Sequence, residues 1–85
     1  MKKVFKYPLS LHSVTQLIPF ENELDVLYVG LDPQGIPHVW VLVDSDLPSK
    51  PIIFYVVGTE HDLPQDATHY VGSYADRLFM WHVFV

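Results

Sequence analysis

Short apolar runs alternate along this chain with clusters of Pro, Gly, Asp and Asn. Val, Ile, Phe, Tyr and Trp dominate most of these runs, and such side chains suit a pleated strand. The runs predict seven strands, at residues 4–8, 14–18, 24–31, 37–44, 52–58, 69–74 and 78–85. Because proline disrupts helices, seven prolines argue against any long helix, and only residues 11–16 and 64–67 are compatible with a helical turn. The pattern predicts an all-β fold: a small single-domain antiparallel sheet of six to seven short strands, curled or barrel- or sandwich-like.

Both faces of the last predicted strand are apolar, with even-numbered positions on one face and odd-numbered positions on the other. The runs at 37–44 and 52–58 have the same property. A strand that is apolar on both sides is sandwiched between layers or covered by a partner. Since 85 residues supply little material for a second layer, we predict a homodimer or higher oligomer. Its possible interface comprises the aromatic residues Trp40, Tyr55, Phe79 and Trp81.

The predicted strands are joined by turns and loops of recognisable composition. Asp32-Pro33-Gln34-Gly35 indicates a tight turn that closes a hairpin, because proline presets φ and glycine supplies a positive φ. Residues 74–77 predict a second tight connection, whereas residues 44–49 and 59–65 form longer loops. The single domain is expected to span residues 1–85.

Composition narrows the class of protein. The apolar fraction of 49% is typical of a globular domain, and the absence of cysteine excludes disulfides and thiolate chemistry. No apolar run approaches the roughly 20 residues that a spanning helix needs, and no stretch of signal-peptide length follows the basic N-terminus. We therefore expect a soluble protein in the cytoplasm, with no membrane partner.

The net charge of −5 bears on the choice of partner. Three of the five basic residues lie within the first six positions, and the others are Lys50 and Arg77. Because nucleic-acid affinity comes from a clustered basic face, direct binding of nucleic acid is not expected. The acidic balance is compatible with a partner surface that carries basic residues, and the alternative is that the charge only keeps the domain soluble.

The segment from Gly58 to Tyr70 gathers more polar side chains than any other part of the chain. It is predicted to lie on the surface and to carry ligand or partner binding, if any, with a plain connecting loop as the alternative. The candidate binding residues are Gly58, Thr59, Glu60, His61, Asp62 and His69.

No residue set in the chain predicts catalysis or a bound metal. The histidines lack the close spacing of a zinc motif, and Gly58-Thr59 is not the strained elbow that presents a catalytic nucleophile. We therefore predict no catalytic residue, no metal and no cofactor. His82, in an apolar run, is predicted to be a neutral core residue with one satisfied N–H group.

Five segments together resemble a family of small uncharacterised proteins of bacteriophages and prophages. They are Lys6-Tyr7-Pro8-Leu9, Val39-Trp40-Val41-Leu42-Val43-Asp44, Gly58-Thr59-Glu60-His61, Tyr70-Val71-Gly72 and Trp81-His82-Val83-Phe84. They occur in the family's order and cover nearly the whole chain. The chain departs from the pattern at Glu60, where the family usually has a second glycine. The resemblance implies a phage origin and a compact β fold but no assigned reaction.

These observations favour a small phage-encoded, non-enzymatic binding protein. Its expected partner is a host or defence-system protein that it inhibits or modulates, as anti-CRISPR proteins do. Two alternatives stay open at this point. One is a small-ligand protein that sequesters a nucleotide signal through Gly58, Thr59 and His61, although few basic residues are available to compensate phosphate. The other is a structural or assembly component of the virion.

Overall fold

Seven strands and no helix make up the chain in the computed structural model, which describes residues 1–85. A three-stranded antiparallel sheet has the order β1-β4-β3, and a four-stranded antiparallel sheet has the order β2-β5-β7-β6. The strands are β1 (Lys2–Pro8), β2 (His12–Pro19), β3 (Asp25–Leu31), β4 (Pro37–Asp44), β5 (Ser49–Gly58), β6 (Tyr70–Asp76) and β7 (Phe79–Phe84). The predicted all-β fold is confirmed, in its sandwich-like form.

The inner faces of the two sheets meet in a single hydrophobic core. The three-stranded sheet contributes alternate residues of its central strand, Val39, Val41 and Val43. The four-stranded sheet contributes Phe54 and Val83 among others, both with no exposed surface. Removing a side chain of this size from water stabilises the fold by about 2–3 kcal/mol. The period-two alternation places these residues together on one face of each strand, and packing of the two sheets turns that face inward.

The strand bounds agree with the prediction within a few residues, and the departures lie at strand ends. Residues 11–16 are not helical, because β2 starts at His12 and pairs with β5. Residues 64–67 form a single turn, in which Ala67 N–H donates to the Pro64 carbonyl at 3.0 Å. The chain contains no helix that is long and apolar enough to cross a membrane.

The second sheet explains in part why three of the predicted strands are apolar on both faces. Of the aromatic residues on these strands only Phe54 is fully buried, whereas Phe79 is 63% exposed. The second sheet therefore covers one face of each strand, and apolar side chains remain on the opposite faces.

The hairpin between β3 and β4 is closed by the predicted turn. Gly35 has a φ of 80° and donates its N–H to the Asp32 carbonyl at 2.8 Å. The buried Asp32 carboxylate accepts the N–H groups of Gln34 and Ile36 at 2.9 Å each. Lys6 Nζ donates to the same carboxylate at 3.3 Å. These bonds, that of Ile36 first, lower the pKa of Asp32 below its ordinary value, although desolvation acts in the opposite direction.

The strand order β5-β7-β6 in the four-stranded sheet determines the path of the chain between β5 and β6. Because β7 pairs antiparallel with both β5 and β6, β5 and β6 are parallel and are separated by one strand. The chain leaves β5 beside the start of β7 and must enter β6 beside the end of β7. The connection at residues 59–69 therefore crosses β7 along its length. We name it the crossover segment.

The edge of one sheet packs closely on the edge of the other at Gly72 in β6. A Cβ atom added at Gly72 would lie 2.8 Å from the Cβ atom of Val29 in β3. We expect Gly72→Ala to lower the free energy of unfolding by about 1–3 kcal/mol, because an extra methyl group overpacks this contact. Urea denaturation followed by tryptophan fluorescence measures the change. The control Ser13→Ala, at an exposed position, should change stability by less than about 0.5 kcal/mol. Equal stability of Gly72→Ala and the wild type would contradict this packing.

A second prediction concerns the acid stability that the Asp32 turn provides. Since the folded-state pKa of Asp32 is lowered, its ionised carboxylate stabilises the fold above the ordinary carboxyl pKa of about 4. This contribution is lost as the pH falls through the lowered folded-state pKa. Asp32→Asn should therefore lower the Tm at neutral pH, and the difference from wild type should shrink as the pH falls below about 4. Thermal denaturation by circular dichroism at several pH values measures it. A constant difference across this range would contradict the assignment.

Candidate functional site

The crossover segment passes over the outer face of the four-stranded sheet, the face turned away from the core. Glu60, His61 and Leu63 of this segment line a common cavity with His82 and Phe84 of β7. Except for the buried Ala67, residues 59–69 are exposed. The predicted surface location of this region is confirmed for these residues. What the sequence does not show is that the segment has a sheet surface beneath it.

Four polar side chains are linked by hydrogen-bond distances on this face. Thr59 Oγ1 lies 2.8 Å from His82 Nε2, and Ser73 Oγ lies 2.7 Å from His82 Nδ1. Tyr70 Oη lies 2.7 Å from Ser73 Oγ. We name these residues the hydroxyl–imidazole network. It joins the start of the crossover segment to β7 and β6.

The register of the strands explains why these four residues meet. His82 is directly opposite Ser73 on β6 and opposite Val57 on β5, so the three side chains share one face. Thr59 follows two residues after Val57, at the point where the chain leaves the sheet. A neutral imidazole has one donor and one acceptor nitrogen, and a hydroxyl can take either role. Both ring nitrogens are therefore satisfied in either tautomer.

A cavity of about 250 Å³ lies between the crossover segment and the sheet. The lining is partly apolar and aromatic, and its polar residues include Thr59, Glu60 and His82. The ring of His61 lies against Trp81, with centroids 6.4 Å apart. Its lining residues are Val57, Gly58, Thr59, Glu60, His61, Leu63, Tyr70, His82 and Phe84. No Lys or Arg lines it, which makes it a poor site for a phosphate group.

The structure brings most of the predicted binding residues together, but not all. Gly58, Thr59, Glu60 and His61 line this cavity, with Gly58 buried at the end of β5. Asp62 lines a neighbouring cavity, beside Ser13 and Tyr55. His69 lies at the other end of the crossover segment, where its backbone pairs with Val85 and its ring Nδ1 is 2.9 Å from Thr68 Oγ1.

The four aromatic residues of the predicted interface do not share one surface. Tyr55 lies on the outer face of the four-stranded sheet, opposite Phe84. Phe79 and Trp81 lie on the other side of that sheet, with ring centroids 6.1 Å apart. Trp40 lies on the outer face of the three-stranded sheet, against Tyr28 at 5.4 Å. An interface on one face could include only some of these residues.

The prediction of His82 as a core residue is wrong. Its ring is only half-buried and lies on the outer face, because the neighbouring Val83 takes the inward position. Ser73 and Tyr70 were not among the predicted binding residues. The resemblance includes Tyr70 and His82 and so gave a signal for them, but it gave none for Ser73. The meeting of these residues with Thr59 depends on β7 lying between β5 and β6.

The outer face of the four-stranded sheet carries no Asp, Glu, Lys or Arg. Its members are Ser13, Thr15, Leu17, Pro51, Ile53, Tyr55, Val57, Tyr70, Ser73, Ala75, Met80, His82 and Phe84. We refer to this set as the uncharged face. The corresponding face of the three-stranded sheet carries Lys2, Lys6, Asp25 and Asp44. Charge is therefore segregated between the two outer surfaces.

The carboxylates of the crossover segment have no cationic partner within the chain. Glu60, Asp62 and Asp66 take part in none of the ion pairs, which involve Met1, Lys6 and His38. No Lys or Arg occurs between Pro51 and Asp76. No group of three or more His, Asp or Glu side chains has an arrangement that could hold a metal ion. The segment is thus an acidic border beside the uncharged face.

Glu60 has a φ of 71°, in the left-handed region that side chains other than glycine rarely adopt. We expect Glu60→Gly to raise the free energy of unfolding by about 0.5–1 kcal/mol, because relief of backbone strain exceeds the added chain entropy. Urea denaturation measures the change. Glu60→Ala is the matched control, since it removes the carboxylate but retains the strain, and it should show no such gain. A decrease in stability for Glu60→Gly would contradict this account.

A family described as Domain of unknown function (DUF7352) matches residues 1–85. No curated protein matches the chain. No solved structure matches it either. Because the family match spans all 85 residues, the chain belongs to the uncharacterised family Domain of unknown function (DUF7352).

Proposed function

We propose that this protein is a non-enzymatic binding protein that docks on another protein through the uncharged face. The carrying observation is the composition of that face, which holds exposed apolar residues and no charge in a chain with fifteen charged residues. Leu17 is 64% exposed, Ile53 44% and Met80 45%. Depletion of charge with enrichment of aromatic residues and Met is the composition of an interface core.

The polar groups on this face are suited to burial by a partner. Thr59, His82, Ser73 and Tyr70 already satisfy one another within the hydroxyl–imidazole network. A polar group costs stability on burial mainly when it loses its hydrogen bonds to water without replacement. A partner can therefore cover this network with little cost, while Leu17 and Ile53 supply apolar area.

The size of the face indicates what else the partner must contact. Four strands about 4.8 Å apart with about 20 Å of paired length form a face of about 400 Å². The crossover segment already covers part of this face along β7. A standard interface buries about 800 Å² on each partner. The remaining contacts would come from the border, of which the crossover segment is the acidic part. This favours a partner surface with an apolar centre and basic residues around it.

The identity of the partner is proposed from the resemblance to phage and prophage proteins. On that basis the partner would be a host or defence-system protein in the host cytoplasm, and docking would inhibit or modulate it. A second copy of the chain is the competing occupant, as the predicted oligomer requires. A nucleotide-sequestering role is less favoured, because the cavity beside Thr59 and His61 has no Lys or Arg to compensate phosphate.

The docking proposal predicts that one charge on the uncharged face strongly weakens binding. Ile53→Asp should weaken partner binding at least tenfold, because an unpaired carboxylate would be buried in the interface. Val4→Asp is the matched control, since Val4 is 55% exposed on the outer face of the other sheet. Both variants should keep their Tm within a few degrees. The measurement is affinity capture from bacterial lysates with the wild type and both variants, followed by affinity measurement on the captured protein.

The expected result is one protein retained by the wild type and by Val4→Asp but lost with Ile53→Asp. Loss with both variants, or retention by both, would overturn the proposal. Sedimentation equilibrium on the same three proteins identifies a second copy as the occupant if self-association is lost only in Ile53→Asp.

A further inference from the structure

We infer that the cavity between the crossover segment and β7 is an anchor site for one basic side chain, a lysine ammonium or an arginine guanidinium, of the docked protein. This inference rests on the proposed function, because it names the chemistry by which a partner of the uncharged face would be held. It assigns a role to the cavity lined by Thr59, Glu60 and His82.

The dimensions of the cavity fit a side chain better than a free ligand. Its volume of about 250 Å³ is below the range of roughly 300–1,000 Å³ that is usual for small-molecule sites. It is open to solvent beside the uncharged face, so a side chain projecting from a docked protein could enter it. Single buried anchors of this kind supply much of the energy of many protein interfaces.

The walls match the two parts of a long basic side chain. Val57, Leu63 and Phe84 provide apolar surface, against which the methylene stem of Lys or Arg can pack. Tyr70 packs edge-on against Phe84, with ring centroids 5.5 Å apart. Aromatic rings attract a nearby cation through their quadrupole, so this pair can contact the stem and the charged end.

The charge of the residues that line the cavity favours a positively charged side chain over a negatively charged one. Glu60 contributes a carboxylate that has no ion-pair partner in the chain. The other polar lining groups are hydroxyl and imidazole, and the nearest basic residues along the chain are Lys50 and Arg77. Arg77 lines a different cavity, with Leu9 and Pro37. An acidic side chain would therefore meet an uncompensated carboxylate, whereas a basic one would supply its missing partner.

Capped amino acids test the site without any partner protein. The probes are N-acetyl-lysine methylamide and N-acetyl-arginine methylamide. The uncharged near-isostere N-acetyl-norleucine methylamide and the acidic N-acetyl-glutamate methylamide serve as controls. Titration at low salt, followed by amide chemical shifts in two-dimensional NMR, gives the affinity and the location. We expect the two basic probes to shift the amides of Thr59, Glu60, His82 and Phe84, and the acidic probe to leave them unchanged.

Variants separate loss of the carboxylate from loss of the fold. Glu60→Gln should weaken binding of the basic probes by about twofold to fivefold, as for a partly exposed ion pair. Glu23→Gln, in the loop between β2 and β3, makes the same change in net charge and should have no effect. Glu60→Gly should bind as weakly as Glu60→Gln although it is the more stable variant, so weaker binding cannot be attributed to unfolding.

Equal binding of the norleucine probe, or no shift with either basic probe, would overturn the inference. These outcomes leave the docking proposal intact, because Ile53→Asp tests that proposal on a different part of the face. Conversely, the basic probes could bind while the Ile53→Asp variant captures the same protein as the wild type. That result would support the anchor site and overturn the docking surface.

Discussion

The pairing of β7 between β5 and β6 is the constraint on which the candidate site depends. It makes β5 and β6 parallel, so the chain between them cannot close as a tight hairpin and must run the length of β7. Because the core occupies the inner side, the crossover segment takes the outer side. The same pairing places His82 opposite Ser73 and within reach of Thr59. The cavity, the network and the acidic border all follow from the position of this one strand.

The side chains of the hydroxyl–imidazole network are polar, but they are already hydrogen-bonded to one another and can be buried at little cost. A half-buried histidine on an otherwise apolar sheet surface would ordinarily need water at both nitrogens. Here Thr59 and Ser73 occupy both positions, and Tyr70 extends the chain of bonds to the start of β6. The network therefore fixes the start of the crossover segment on the sheet. A partner can therefore exclude water from this surface without leaving buried donors or acceptors unsatisfied.

The outer face of the three-stranded sheet carries charged residues, whereas the outer face of the four-stranded sheet carries none. The lysines of β1 lie with Asp44 and Asp25 on or beside the three-stranded sheet, and the N-terminal ammonium pairs with Asp44 and Asp46. These charges largely compensate one another within the chain. The carboxylates of the crossover segment have no such compensation and stand next to the uncharged face. An apolar surface with an uncompensated acidic border is complementary to a partner that is apolar in its centre and basic at its edge.

The sequence by itself determined the local features of this protein. The apolar residues on both faces of β4 and β5 left open which face is the core. Val- and aromatic-rich runs placed the seven strands, and Asp32-Pro33-Gln34-Gly35 specified its turn. These depend on backbone preferences and on a period of two, which neighbouring residues express directly. Tertiary structure alone decided that β7 lies between β5 and β6, because strand order depends on packing between segments distant in sequence. For that reason Thr59 and His61 could be proposed as binding residues from the sequence, whereas His82 was assigned to the core and Ser73 was missed. The site that these residues share forms only where β5, β6, β7 and the crossover segment meet.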